Sequence, residues 1–442
     1  MSGPVIFCFH RDLRLEDNTS LIAAHDYAAA HKTTILPIFI FTPEQAGPKS
    51  PVRSLFSLAA LFQSLEELQQ SLKRHNSQLH ILYGPHEKVL PSLLKSSNAQ
   101  AFFENMDYTP YAKQRTQIIQ EACEAQNVHY EAHHDVYLHP PGLILNKSKR
   151  PFQKFTPFYD SAKSKPIAHP RKTPSSHYDH KQSLSNNYAT SLSSLKTKLL
   201  GKQDYSQRAY QGGRAEALSL LKNLPRDYED IHDALPKTTS GLSVHHHYGT
   251  ISIRESYYRA EDLIHQGHKQ LRAFQRQLFW RDFYGNIVAF FEDLYNVNPY
   301  DYQKEDPHWE KLSPEAKKKK KALFEDWCNG TTGIPLVDAG MNQLNSTGFM
   351  HNRARLVCAS WLIKDAHIHW RWGERYFAKN LVDYDFSQNF GNWTWVASLL
   401  PYSQAPFRKH DPYSIAKKLD PDNTYIKVWN PDFENDDHPS KK

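Results

Sequence analysis

The segment Asp383-Tyr384-Asp385-Phe386-Ser387-Gln388-Asn389-Phe390-Gly391-Asn392-Trp393-Thr394-Trp395 puts two carboxylates, asparagines and two indoles into one short stretch. Upstream, Trp370-Arg371-Trp372-Gly373-Glu374-Arg375 repeats the mixture of rings and charges. These groups suit a cavity for a planar aromatic ligand: rings to stack on it, an amide to hydrogen-bond it, carboxylates to orient it. Buried tryptophan is more often packing than ligand contact, so the residue types alone leave a core corner and a binding site both open.

Other stretches carry weaker signals. Thr238-Thr239-Ser240-Gly241-Leu242-Ser243 offers hydroxyls and backbone amides near a helix start. Such a nest can hold phosphate oxygens, and equally it can be an ordinary Ser/Thr cap. His245-His246-His247 follows; three consecutive histidines on a helix point in different directions, and neither H-E-x-x-H nor paired C-x-x-C occurs, so no metal is assigned. Phe279-Trp280-Arg281-Asp282-Phe283-Tyr284 reads as core with an ion pair, and Met350-His351-Asn352-Arg353-Ala354-Arg355 as either phosphate-binding or structural. The run Lys317 to Lys321 reads first as a solvated helix face, with phosphate contact as the alternative.

The elements that must position these residues divide the chain. Val5 to Phe9, Ile35 to Phe41, Leu79 to Tyr83, Ala101 to Phe103 and Val128 to Tyr130 read as buried strands. Between two of them Leu58, Leu61, Phe62, Leu65, Leu68 and Leu72 recur at helical spacing. Strand and helix in alternation predict a doubly wound parallel sheet over residues 1–134. The turn after the first strand is His10-Arg11-Asp12-Leu13-Arg14, so the G-x-G-x-x-G fingerprint is absent there and the fold alone names no ligand. Residues 135–204 are rich in Pro, Ser, Lys and His and read as a long connector, with Phe152 to Tyr159 an apolar island that docks. Residues 205–442 read as helix after helix, including Arg214 to Leu221, Leu271 to Phe291 and Arg353 to Ile368.

With 442 residues and 39% apolar composition, the chain can fill more than one core. A formal charge of +7 favours a polyanionic partner. Cys8, Cys123, Cys328 and Cys358 lie far apart, as expected of a reduced chain. The start lacks a basic segment followed by an apolar one, and no apolar run is long enough to span a bilayer, so secretion and membrane insertion are not expected.

Taken in order, Thr239-Ser240-Gly241-Leu242-Ser243, Trp280-Arg281-Asp282-Phe283-Tyr284, Gly348-Phe349-Met350-His351-Asn352-Arg353-Ala354-Arg355 and the tryptophan-rich stretch closely resemble the DNA photolyase/cryptochrome family. Phe9 to Asn18, Phe155-Thr156-Pro157-Phe158 and Thr331 to Ala339 match it as well, and the resemblance runs from about residue 4 to residue 431. It implies an N-terminal α/β domain, a long linker and an all-α domain that buries FAD. It also implies light-driven repair of cyclobutane pyrimidine dimers, in which reduced FAD passes one electron to a flipped-out dimer.

By position, the resemblance places Tyr228 and Thr239, Ser240, Gly241, Leu242 and Ser243 on the FAD phosphates and ribitol. Arg355 and Asp383 form a pair beside the isoalloxazine, Asp385 lies close by, Arg281 and Tyr384 join the cofactor-binding set, and Asn389 faces flavin N5. Trp280 and Trp395 pack against the dimer; Gln277, Asn352 and Arg353 contact the lesion and its backbone. Trp393 and Trp370 open the chain that delivers electrons to the flavin, and Trp309 closes it if the residues around Lys317 to Lys321 are an insertion; ungapped counting gives Lys317 instead. Gln277 stands where cyclobutane-dimer enzymes usually carry Glu, a feature shared with (6-4) photolyases, whereas Asn352 stands where those have histidine. Leu356 replaces a frequent Met, and Ile415 a DNA-contacting Gln. The alternatives are a DASH-type single-strand photolyase, which usually has Tyr in place of Trp395, a (6-4) photolyase, and a signalling cryptochrome, which usually carries a longer tail. Thr109 and Tyr295 occupy antenna positions where folate-binding members have Glu and Cys, so a second chromophore, folate or deazaflavin, is possible and left unassigned. The expected partner is UV-damaged DNA, the expected state a monomer, and the expected location the bacterial cytoplasm at the nucleoid, or a nucleus.

Overall fold

Four largely apolar runs and the partly exposed His129–His133, which extends past the expected Val128 to Tyr130, form the parallel strands of one sheet in a computed structural model, which describes residues 3–180, 184–201, 210–290, 309–399, 403–406 and 408–433. Phe291 and Tyr295 lie outside these residues. The strands are β1 Val5–Phe9, β2 Ile35–Phe41, β3 His80–Tyr83, β4 Ala101–Asn105, β5 His129–His133 and β6 Ala189–Thr190. They lie in the order β5-β4-β1-β2-β3-β6. The four pairs from β5 to β3 are parallel, Val5 facing Ile35 on one side and Ala101 on the other. β1, β2 and β4 are buried along their whole length, which is why they read as continuous apolar runs.

Two expectations need correction. β4 does not stop at Phe103: Glu104 and Asn105 continue it, because both polar side chains are buried and paired. The sheet is also not purely parallel, since β6 from the connector adds an antiparallel edge on β3, Leu82 facing Ala189. Helices cover both faces; the longest, Leu55–Lys73, is capped by the Ser54 hydroxyl accepting from Ser57 N–H.

The connector crosses from sheet to helices. Its backbone bonds Ile35 through His177 and Asp179, and its apolar island becomes the helix Phe155–Ala162, which docks on the helix Arg272–Phe290 through Phe158 and Phe283. In the helical half, the helix expected over Arg353 to Ile368 spans Asn352–Lys364. It ends early because the Asp365 and Ala366 amides both return to the Trp361 carbonyl and His367 takes a left-handed φ of 50°. The last two long elements are Trp370–Asn380 and Phe386–Val396. They approach closely at Gly373, where a Cβ would stand 2.2 Å from the indole of Trp393.

The two halves are fastened by charge. Arg14 and Arg254 both bind Asp135, at 2.5 and 2.7 Å, and Arg254 also binds Asp17 at 2.9 Å. Burial alone would raise the pKa of Asp135; the two guanidiniums overcome it and hold the carboxyl far below its ordinary value.

Candidate functional site

A cavity of about 550 Å³ opens in the helical half, within the range of roughly 300–1,000 Å³ typical of small-molecule sites. One wall is the segment before the short helix Ser243–Tyr248. Gly241 there has φ +66°, a conformation that a side chain would strain, and its neighbours Thr239, Ser240, Leu242 and Ser243 line the cavity with it. Tyr228, in the turn Tyr228–Ile231, closes this end.

The opposite wall comes from the helices Asn352–Lys364 and Phe386–Val396. Arg355 Nη2 donates to both oxygens of Asp383, at 3.0 and 2.9 Å, and its Nε donates to the Met350 carbonyl at 2.8 Å. Asn389 Nδ2 donates to Glu374 Oε1 at 3.0 Å, which fixes the amide at the cavity wall. Glu374 is itself buried; burial raises its pKa, against the pull of Arg375 and Arg371. Asp385 also lines the cavity and caps its helix by accepting from the Gln388 amide.

The partner of Asp385 is a residue that the sequence reading did not assign to the site. Arg11, from the turn after β1, reaches across the domain boundary to form an ion pair with it. Burial would raise the pKa of Asp385, but Arg11, then Arg281, keep it well below the ordinary carboxylate value. Arg281 lines the cavity with its guanidinium anchored on the Val136 and His246 carbonyls. The motif Phe9 to Asn18 was the available signal for Arg11, but a one-residue reach across domains leaves no spacing rule to read.

His246 and His247 line the cavity as well, while His245 turns away to bond Thr250 Oγ1 at 2.9 Å. Burial, then Arg11, pushes His247 down to about 3, so its imidazole is neutral. His247 and His351 line the cavity, and among the described residues His247 Nδ1 and His351 Nε2 are buried without a hydrogen-bond partner. Among the described residues no group of His, Cys, Asp and Glu has metal-binding geometry, and no helix is long and apolar enough to cross a membrane.

At the mouth stand Gln277, Trp280, Asn352, Arg353 and Trp395. Arg353 Nε binds Asp233 Oδ1 at 2.7 Å, and both side chains are about one-third exposed, at 34% and 35%. Burial would raise Asp233; the Arg353 hydrogen bond and charge lower it. Asp233 is thus a second residue that the sequence reading missed. Leu356 lines the cavity, and Ile415 packs in the helical core beside it.

Trp393 lines the cavity and packs on Phe377 at 5.1 Å and Trp327 at 6.3 Å. Trp370 lies outside the lining, edge-on to Phe390 at 5.5 Å with Arg371 over its face at 4.5 Å. Trp309 is placed against Trp372, at 5.2 Å, with Lys317 and Lys321 over its ring at 5.6 and 5.7 Å. Trp372 was not singled out from sequence. Tyr384 does not line the cavity; it stands behind it, its hydroxyl 3.5 Å from Glu374. Thr109, the antenna candidate, caps the helix Pro110–Glu124 by accepting from the Ala112 amide.

These residues fit FAD. The cavity lies within the size range of small-molecule sites, and its lining brings together the hydroxyls and amides of Thr239 to Ser243, the Arg355–Asp383 pair and the fixed amide of Asn389. Comparison with known proteins agrees. Residues 274–440 match the FAD binding domain of DNA photolyase, and residues 5–175 match the DNA photolyase domain. A deoxyribodipyrimidine photo-lyase of Synechococcus sp. is 33% identical over 98% of this chain and 89% of its own length. A photolyase of the archaeon Sulfolobus tokodaii, solved with two FAD molecules, superposes with a TM-score of 0.79 at 33% identity, over 97% of this chain and 90% of that one. A class III photolyase of Agrobacterium tumefaciens gives 0.84 at 28% identity, over 98% and 87%. With its fold, its cavity and nearly its whole length matched, the chain belongs to the DNA photolyase family.

Proposed function

We propose that the protein repairs cyclobutane pyrimidine dimers in UV-damaged DNA, using light absorbed by bound FAD. One observation carries this reading: the fixed amide of Asn389, the Arg355–Asp383 pair and the indoles of Trp280 and Trp395 surround a single cavity whose mouth carries Gln277, Asn352 and Arg353.

When bound, FAD supplies an electron donor that light makes strong enough to reduce a pyrimidine dimer. The protein does the rest by position. Thr239 to Ser243 and Tyr228 hold the polar end of the cofactor, and the Arg355–Asp383 pair presents charge to the ring end without a net gain of charge. Glu374 takes the amide protons of Asn389, which leaves the Asn389 carbonyl oxygen for the cofactor edge. Trp280 and Trp395 replace stacking that the dimer loses on leaving the duplex, worth about 1–3 kcal/mol per base. Gln277 and Asn352 offer neutral amides to base edges, and Arg353 a cation to the adjoining phosphate. Trp393, buried at the cavity, would be the inner member of an electron path to the bound cofactor, and Trp370 and Trp309, which do not line the cavity, its outer members. Asn352 favours the cyclobutane lesion, because (6-4) repair calls for a proton donor that an amide cannot provide. We read the working unit as a monomer that acts where the genome is, in cytoplasm or nucleus.

The test is blue-light repair of oligonucleotides carrying one defined lesion, single- and double-stranded. Restoration of cyclobutane dimers in duplex, with (6-4) lesions untouched, is expected. Repair of (6-4) lesions alone, of single strands alone, or of neither lesion would replace this reading with a (6-4), a DASH-type or a photoreceptor function respectively.

A further inference from the structure

The connector contributes a ring that the cavity lining does not account for. Phe155 opens the docked helix Phe155–Ala162, and its ring lies on Trp280 with centroids 3.6 Å apart and planes only 6° apart. Phe155 is 6% exposed and is wedged from the side by Phe283, edge-on at 5.9 Å. The guanidinium of Arg276 lies 5.1 Å from the Phe155 ring and 5.0 Å from that of Tyr159. The helix is held by two further ring contacts, Phe158 with Phe283 at 5.4 Å and Tyr159 with Phe279 at 5.2 Å. Trp280, by contrast, is half-buried and lines the cavity.

One face of the Trp280 indole is therefore covered by the connector, and a base can meet only the other. A tryptophan with free side-chain torsions would have to lose that freedom on stacking, at a cost of roughly twofold to tenfold in affinity for one immobilised side chain. We propose that Phe155 is a positioning residue for lesion recognition: it fixes Trp280 in its stacking orientation before DNA arrives, so the connector helps select the substrate. This rests on the reading of the cavity mouth as the lesion site. Phe155 touches no substrate in this account; it acts through Trp280 alone, with Tyr284, 5.8 Å from Trp280 and inclined 27°, flanking the same indole.

The experiment is a double-mutant cycle on the full flavin-loaded protein, read as affinity for duplex DNA with one cyclobutane dimer and for the same duplex undamaged. Phe155→Leu keeps apolar volume but removes the flat ring, and should weaken lesion binding threefold to tenfold while undamaged DNA binds as before. Turnover at saturating lesion should stay unchanged, because the loss falls on affinity. Phe155→Tyr, which keeps the ring plane, should retain wild-type discrimination. In a Trp280→Ala background, Phe155→Leu should have no further effect. An equal loss toward both DNAs, additivity in the cycle, or full discrimination in Phe155→Leu would overturn the proposal. If Phe155→Leu did not fold, a loss of discrimination in Phe155→Tyr as large as that in Trp280→Ala would do the same. Wild-type protein that fails to prefer the lesion would instead remove the reading of the site on which the inference rests.

Discussion

The two halves of the molecule use buried polar groups in opposite ways. At the carboxyl ends of the parallel strands, where open α/β sheets commonly bind ligands, the Glu104 carboxylate is satisfied by the chain's own side chains. Glu104, fully buried, accepts from His10 Nε2 at 2.6 Å, Tyr130 Oη at 2.8 Å and Thr116 Oγ1 at 3.0 Å, and Arg115 lies 3.8 Å away. Burial opposes its ionisation, yet the His10 hydrogen bond and charge bring its pKa down to about 2. In the helical half polar groups are tied back to the scaffold while their residues line a cavity, as with Asn389 and Arg355. The contrast teaches that a crevice at the expected place in a fold is not a site until its polar groups have somewhere outside the chain to point.

The largest expected effect comes from the ion pair that joins the turn after β1 to the cavity wall. Arg11→Ala removes the ion-pair partner of the buried Asp385 carboxylate at the cavity wall and leaves it only the more weakly coupled Arg281. Removing one partner of a buried pair costs about 3–5 kcal/mol. Denaturant unfolding should show a loss of that size, and the purified variant should carry less flavin. Retention of full stability and flavin would mean that the α/β turn is not part of the cavity's support.

Glu104→Gln should cost less, about 1–3 kcal/mol, because the isosteric amide keeps an acceptor for the buried hydrogen bonds and the Arg115 pair that it weakens is long, at 3.8 Å. Its flavin content and lesion affinity should be unchanged. A colourless Glu104→Gln protein that remains folded would break the comparison, since it would give the sheet crevice a share in cofactor binding. Trp395→Ala should weaken binding of dimer-containing DNA by about 1–3 kcal/mol and leave salt-sensitive binding of undamaged DNA almost untouched.

The smallest effects are slopes of stability with pH, and they have opposite signs. Glu104 keeps its charge in the folded protein down to about 2, so the unfolded chain takes up the proton first. Stability from this group is complete above the ordinary glutamate value near about 4.3 and is lost as pH falls toward 2. Asp282, buried in the helix Arg272–Phe290, is pushed up to about 7 by burial, against hydrogen bonds from the His139 and Leu138 amides. Here the folded protein holds the proton longer, so its contribution falls as pH rises from the ordinary aspartate value, near about 3.9, to about 7. Asp282→Asn should flatten the second slope and Glu104→Gln the first, each without altering the other. Unchanged curves in either variant would show that its carboxyl does not titrate as its surroundings require.

Much of this was legible from residue order. The cores of β1, β2 and β4 read correctly because strands buried on both faces admit mostly apolar residues, whereas the rings, amides and carboxylates between Asp383 and Trp395 left core and binding site both open until the family resemblance was added. The errors fall where long-range pairing overrides local pattern. Glu104 and Asn105 look like a strand end until His10 and Asp12 arrive to satisfy them. Ala189–Thr190 is too short to announce a strand and becomes one only because β3 offers a free edge. Arg11, Asp233, Glu374 and Phe155 matter through partners that lie far away in the chain or on another element, so no local spacing could single them out.

The measurement that bears most directly on the contrast between the halves is the FAD released on denaturing purified wild-type protein, Glu104→Gln and Ala359→Trp. Ala359 is buried at the cavity wall, and an indole there would fill space that the cofactor needs. About one FAD per chain is predicted for wild type and for Glu104→Gln, and almost none for a folded Ala359→Trp. Two flavins per chain, with one surviving in Ala359→Trp and lost in Glu104→Gln, would place a ligand in the sheet crevice and contradict the account.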